Sequence, residues 1–257
     1  MFINRNFLKF FYNALLTGMP SLTYNPINKN VLHAPFIVNE FSTYINYRLN
    51  LDQLQTLKNY LHENTDGFNI VPSSILNDDS KDYFLSLNIY NCTSPIFSFI
   101  AEEPSTRCEL NLYVSDKNED KGTLIIDYVS NLLSLDPDNL FKQKGNINFN
   151  LENGVITGNA DNENFSLELL YNPFMNIITQ KQISSNLVKF TDKIFYRNGI
   201  YDKLYYDSSL IHNKIIDCKD YNIYFKFLDM EFLNVDNIFY FEKKINFVGG
   251  LWYNLLK

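Results

Sequence analysis

The sequence predicts a mainly β (α+β) protein: a closed or nearly closed antiparallel β-barrel or cone with a few peripheral helices. Three observations predict it. Period-two alternation of apolar and polar residues recurs from Pro35 into the C-terminal third, as half-buried strands require. The strand count is about ten, and closure is the simplest way for so many strands to remove exposed edges. No internal repeat, low-complexity segment or Gly/Ser/Pro-rich linker divides the chain. The reading is therefore an N-terminal helix and extended arm over 1–34, then a single β-barrel domain over 35–257.

Composition bounds the function. With 257 residues the chain is long enough for one large β domain with a real core. The hydrophobic fraction of 46% and charged fraction of 20% exclude disorder as a whole-chain reading. Lys and Arg number 22 against 29 Asp and Glu, a net charge of −7. That balance argues against nucleic acid as a partner and against a polybasic membrane surface. No apolar run reaches the roughly 18 to 20 residues of a transmembrane helix, so no membrane span is expected. Cys92, Cys108 and Cys218 are too few and too scattered for a disulfide framework, which suits a reducing compartment. His33, His62 and His212 form no zinc signature, and neither a metal nor another cofactor is expected.

The elements follow in order. The first acidic residue is Glu40, and Phe7, Leu8, Phe11, Leu15 and Leu16 fall near helical spacing. Residues 4–17 read as a short amphipathic helix. The basic, acid-free start resembles a mitochondrial presequence, but Gly18-Met19-Pro20 ends it sharply. A structural helix is preferred, and the expected compartment is cytoplasmic, with mitochondrial as the alternative. Phe41, Thr43, Ile45 and Tyr47 alternate with polar neighbours and predict a strand. Leu51, Leu54, Leu57 and Leu61 then share one helical face, with Asn50 as N-cap. Strands are predicted at 83–90, 95–101, 107–114 and 123–129, with a turn at 116–122. Residues 130–144 read as a helical turn around Asp136-Pro137. Runs 148–157 and 164–171 form a hairpin around Gly154 or Asn162. Runs 187–195, 222–232 and 238–247 are further strands, and 203–216 is predicted helical.

The strand Arg107–Val114 carries the most chemistry. Its even positions (Cys108, Leu110, Leu112, Val114) suit a core, and its odd positions (Arg107, Glu109, Asn111, Tyr113) form a polar row. One reading is a solvated face with an Arg/Glu pair. The other is a ligand-facing row in which Arg107 grips a carboxylate with two hydrogen bonds. Ser86, Asn88 and Tyr90 share a face of the preceding run and extend that surface. Asp78-Asp79 and Glu102-Glu103 read as solvated loop acids. Nucleophile-elbow, Walker A and Gly-x-Gly-x-x-Gly motifs are absent from the sequence. The Tyr- and Asp-rich segment 196–207 suits a pocket wall or a contact between copies of the chain.

The order of these pieces resembles the acetoacetate decarboxylase-like superfamily. The patches are Tyr47-Arg48 entering a leucine helix, Tyr83–Asn91, Arg107-x-Glu-x-Asn-x-Tyr-Val114, and Gly122-Thr-Leu-Ile-Ile-Asp127. The resemblance implies a β cone whose interior is the active site. It also implies a lysine that forms a Schiff base with a β-keto acid, so that the imine takes up the electrons as CO₂ leaves. The matching position is Lys142, in Leu140-Phe141-Lys142-Gln143. Gln143 stands where a second lysine is expected, with Lys144 one further on. A rival placement puts Ser115 at the nucleophile position. Glu40 stands where an arginine is expected, and only Glu102 and Glu103 lie near the family's catalytic glutamate.

The resemblance thus implies Lys142 as catalytic, with Arg107, Glu109, Asn111 and Asn88 contacting a small keto acid. The alternative is an inactive barrel that binds a small apolar or carboxylated ligand. A third reading is a homo-oligomer whose aromatic surface packs between copies.

Overall fold

The computed structural model describes residues 36–65, 67–73, 81–93, 105–130, 145–152, 155–171, 177–182, 193–195, 197, 201–205, 212–216, 222–241 and 246–248. The predicted N-terminal helix, the strand at 95–101 and the turn at 130–144 lie outside them. The described part is mainly β. An eleven-stranded sheet and a five-stranded sheet share a core with one helix, which follows the first strand of the larger sheet.

The helix α1 (Leu51–Asn64) forms where the leucine spacing predicts it. Asn50 caps it, its side chain accepting from Gln53 N while the Gln53 side chain accepts from Asn50 N. That reciprocal box satisfies two end donors that would otherwise lack partners. Leu54, Leu57 and Leu61 are buried, each contributing on the order of 2 kcal/mol of burial.

The large sheet is built on β1 (Phe36–Arg48), β3 (Phe84–Thr93), β4 (Ser105–Ser115) and β5 (Lys121–Ser130). The sheet runs β16-β11-β10-β5-β4-β3-β1-β15-β12-β9, and the two-residue β2 (Asn69–Ile70) joins β4. Its remaining members are β9 (Ile177–Gln182), β10 (Lys193–Phe195), β11 (Tyr201–Tyr205), β12 (His212–Ile216), β15 (Val235–Phe241) and β16 (Asn246–Val248). Strand β1 is shared: its second half pairs β15, and its start pairs β16 through Phe36↔Phe247 and Ile37↔Asn246. The second sheet runs β14-β13-β8-β7-β6. Its strands are β6 (Asn146–Glu152), β7 (Val155–Asp161), β8 (Phe165–Tyr171), β13 (Asn222–Phe227) and β14 (Met230–Phe232).

The core lies between one face of the large sheet, α1 and the second sheet. Leu85, Leu87 and Ile89 of β3, and Cys108, Leu110, Leu112 and Val114 of β4, supply the first face. Phe165, Leu167, Phe225 and Phe227 supply the facing layer. Tyr47 bridges the two, its ring 5.5 Å from Phe225 and 5.7 Å from Phe232. Asp127, displaced toward the core by the bulge between Leu110 and Asn111 pairings, accepts from Asn162 and Asn164 in the β7–β8 turn. This buried carboxylate is therefore held by donors rather than left to solvent.

Several expectations change. The single antiparallel barrel gives way to two sheets, and β10 lies parallel to β5 through Ile194↔Thr123. Of the run 203–216, expected helical, the described residues belong to two strands, β11 and β12, whose backbones pair with β16 and β15. Tertiary pairing overrides local propensity there. The run 148–157 spans two strands, β6 and β7, and Asn162 stands in the turn between β7 and β8, while Gly154 lies outside the described residues. The run 222–232 folds back at Leu228-Asp229, both at positive φ, the geometry of a tight hairpin turn.

Gly122 allows the parallel approach of β10. A Cβ there would meet the Lys193 carbonyl oxygen at 2.6 Å and the Phe195 ring at 2.7 Å. Gly122→Ala should therefore lower stability by about 1–3 kcal/mol, the usual cost of overpacking. A urea midpoint unchanged from wild type would contradict that close contact.

Candidate functional site

Across β1, β3, β4 and β5 the opposite face of the large sheet carries many polar residues, and they too are buried. Register places its residues. Asn46 of β1 lies opposite Ser86 of β3 and Asn237 of β15. Asn88 and Tyr90 of β3 lie opposite Glu109 and Arg107 of β4. Tyr128 and Ser130 of β5 lie opposite the same Glu109 and Arg107. Because directly paired residues share a face, the row predicted on β4 becomes one strip of a wall across five strands. Ser86, Asn88, Tyr90, Glu109, Asn111, Tyr113 and Tyr128 are all buried.

At one end of this wall Arg107 and Glu109 form an ion pair. Arg107 Nε donates to Glu109 Oε1 at 2.6 Å. Tyr90 Oη donates to the same oxygen at 2.7 Å. The Arg107 guanidinium carbon stands 4.2 Å from the Tyr128 ring centroid, a cation–π contact. Arg107 is 6% exposed and Glu109 3%, so the solvated-face reading of this pair is overturned. A buried pair holds together only if charges and lone pairs are matched locally. Glu109 Oε2 is matched by nothing among the described residues, and neither is Asn111 Oδ1.

The other end of the wall is an amide network. Asn46 Nδ2 donates to Asn237 Oδ1 at 2.8 Å, and Tyr113 Oη donates to Asn46 Oδ1 at 3.1 Å. Asn237 Nδ2 passes the chain on to Asp236 at 2.8 Å. Thr106 Oγ1 donates to Asn91 Oδ1 at 2.8 Å on the other face of the sheet, next to Ile89 and Cys108. Burial pushes the Tyr113 phenol above its ordinary value, with the Ser86 side chain opposing. Burial likewise raises the Cys108 thiol on the core side, Glu109 and Asp127 adding to it and Arg107 opposing. Cys108 therefore stays a protonated thiol and a packing residue, with no nucleophilic thiolate to offer.

The structure brings Arg107, Glu109, Asn111 and Asn88 onto one buried face. Lys142 lies outside the described residues. Ser115, the rival nucleophile position, is the half-buried last residue of β4, paired with Asn69 and Lys121. Tyr47 and Arg48, which carried part of the resemblance, are structural here. Tyr47 is in the core, and Arg48 makes surface ion pairs with Asp82 at 3.0 Å and Asp236 at 2.9 Å. Of segment 196–207, Arg197 donates to Tyr60 Oη at 3.0 Å and to the Ile126 carbonyl, tying it to α1 and β5. Asn237 and Tyr128 join the wall without having been singled out in the sequence. Only register with β1 and β4 reveals them. Among the described residues no group of three or more His, Cys, Asp and Glu could hold a metal. A groove of about 400 Å³ lies on the α1 side of the sheet, lined by Lys58, His62, Thr65, Phe68 and Asn69 among others. It is separate from the polar wall.

Two outcomes follow from the wall's burial. Arg107→Met strands a buried carboxylate and should cost about 3–5 kcal/mol. Arg107→Met/Glu109→Leu removes both charges and should cost markedly less. Guanidinium denaturation of both variants checks this, and a double variant no more stable than the single one would contradict it. The Tyr113 shift sets a pH dependence. The native phenol keeps its proton above the unfolded value of about 10, so its contribution is complete below that pH and falls as pH rises through the higher folded value. Stability measured from pH 9 to 11 should decline, and the decline should be shallower in Tyr113→Phe. Equal slopes would remove the assigned cause.

No family model matches the chain, and no curated protein matches it in sequence. Solved structures are similar to it. One is the acetoacetate decarboxylase of Legionella pneumophila subsp. pneumophila str. Philadelphia 1, at TM-score 0.48 and 8% identity, covering 85% of this chain and 86% of that one. A second is an acetoacetate decarboxylase, at TM-score 0.44 and 12% identity, covering 87% and 91%. A third is an acetoacetate decarboxylase-like enzyme from Sphingomonas wittichii RW1, at TM-score 0.46 and 11% identity, covering 88% and 95%.

Proposed function

We propose that this chain is an acetoacetate decarboxylase-like protein that binds a small carbonyl or carboxyl compound on the buried polar face of its large sheet. One observation carries the reading: a contiguous wall of hydrogen-bonding side chains, spanning β15, β1, β3, β4 and β5, is buried. Burying so many polar groups is costly unless they serve each other or something they enclose. The pairing of β16 with both β11 and β1 supports a ring of strands, β1-β3-β4-β5-β10-β11-β16, around that face. In this reading the ring is the barrel, and the second sheet and α1 pack outside it.

The catalytic form of the reading is Schiff-base chemistry at Lys142. The Lys142 amine would attack the ligand carbonyl, water would leave, and the imine would take up the electron pair of the breaking C–C bond as CO₂ departs. Sequence position supports it. Strand β5 ends at Ser130, opposite Arg107, and the described chain resumes at Gly145, where a Cβ would stand 3.0 Å from Val129. Lys142 belongs to the segment between these two points of the chain, which lies outside the described residues. Arg107, Glu109, Asn88 and Asn111 would orient the ligand.

Borohydride trapping with acetoacetate, followed by peptide mass mapping, tests the chemistry. The expected result is a reduced adduct on Lys142 that is absent from Lys142→Ala. A folded wild-type protein that gives no adduct would refute Schiff-base formation and leave the binding reading to titration.

A further inference from the structure

Two unsatisfied acceptors of the wall call for a donor from the ligand. Glu109 Oε1 already accepts from Arg107 and from Tyr90. Glu109 Oε2 and Asn111 Oδ1 are buried acceptors with no partner among the described residues. Glu109 and Asn111 are two positions apart on one strand and share its face, so their side chains emerge about 7 Å apart. An unpaired buried acceptor costs on the order of 1–3 kcal/mol, and more when it is charged. A ligand that donates to them recovers that cost. One that presents only acceptors does not.

Charge points the same way. Arg107 is the expected carboxylate grip, but its positive charge is already compensated by Glu109 at 2.6 Å and spread over the Tyr128 ring. A bare carboxylate set against Arg107 would also meet Glu109. We therefore infer that the ligand, besides its carbonyl or carboxyl group, bears at least one hydroxyl or ammonium donor, which Glu109 Oε2 accepts. This rests on the reading of the wall as the ligand site.

The test compares matched probes: butyrate, 3-hydroxybutyrate and 3-aminobutyrate, titrated calorimetrically into the full chain. The two donor-bearing probes should bind about ten- to a hundredfold more tightly than butyrate, the range a hydrogen bond to a charged acceptor gives. In Glu109→Gln, which keeps the side chain's shape, that preference should shrink by about tenfold. Equal affinity of all three probes for the wild type would overturn this inference and leave the wall as the binding site. No binding of any probe would overturn both. A preference that persists in Glu109→Gln would assign the donor's acceptor elsewhere. The wild-type comparison stands alone if the variant fails to fold.

Discussion

Everything in this fold depends on the central strands β3, β4 and β5 being buried on both faces. A sheet with one dry and one wet face can leave its polar side chains to water. Here that outlet is closed. Every residue of β5 after Lys121 is buried, and Ser86 and Asn88 of β3 and Arg107, Glu109 and Asn111 of β4 are buried like the leucines between them. The two faces therefore meet different demands. The apolar face is satisfied by packing, the polar face only by partners.

The apolar face is answered by α1 and the second sheet, which contribute leucines and phenylalanines to one continuous core. Two polar groups that reach it from β5 are matched. Asp127 is held by the asparagines of the β7–β8 turn, and the Ile126 carbonyl by Arg197. The polar face is answered differently at its two ends. The Asn46–Asn237–Tyr113 network is a chain of neutral side chains that ends on the Asp236 carboxylate. The Arg107–Glu109 cluster balances its charge but not its hydrogen bonds, because one carboxylate oxygen is left over. A structural pair has no use for such an imbalance, since it weakens the fold. A binding site does.

Much of this was legible in the sequence. The alternation in Arg107–Val114 fixes which residues face the core, and the leucine spacing after Asn50 fixes α1. The polar row was legible because period two leaves no other arrangement of Arg107, Glu109 and Asn111. Its burial was not, because alternation alone cannot distinguish bulk water from an interior. The Asn237 and Tyr128 contributions were hidden for a different reason. They depend on register between strands distant in sequence, such as Asn46 and Asn237. The second sheet was missed because its hairpins obey the same alternation as the first. Only their pairing separates the two. The helix expected over 203–216 failed where strand neighbours, absent from any local window, captured β11 and β12.

The central claim is that the polar face, rather than the groove beside α1, is where this protein meets a small molecule. Side-chain amide resonances report on it directly, because Asn46, Asn88, Asn111 and Asn237 all lie on that face. Nuclear magnetic resonance of these amides during titration with a library of small hydroxy, amino and keto acids is the decisive measurement. The account predicts that compounds which bind shift Asn88 and Asn111, next to Glu109, before any other amide. Shifts confined to Asn69 and its neighbours around the α1 groove, or a face silent to every compound, would contradict it.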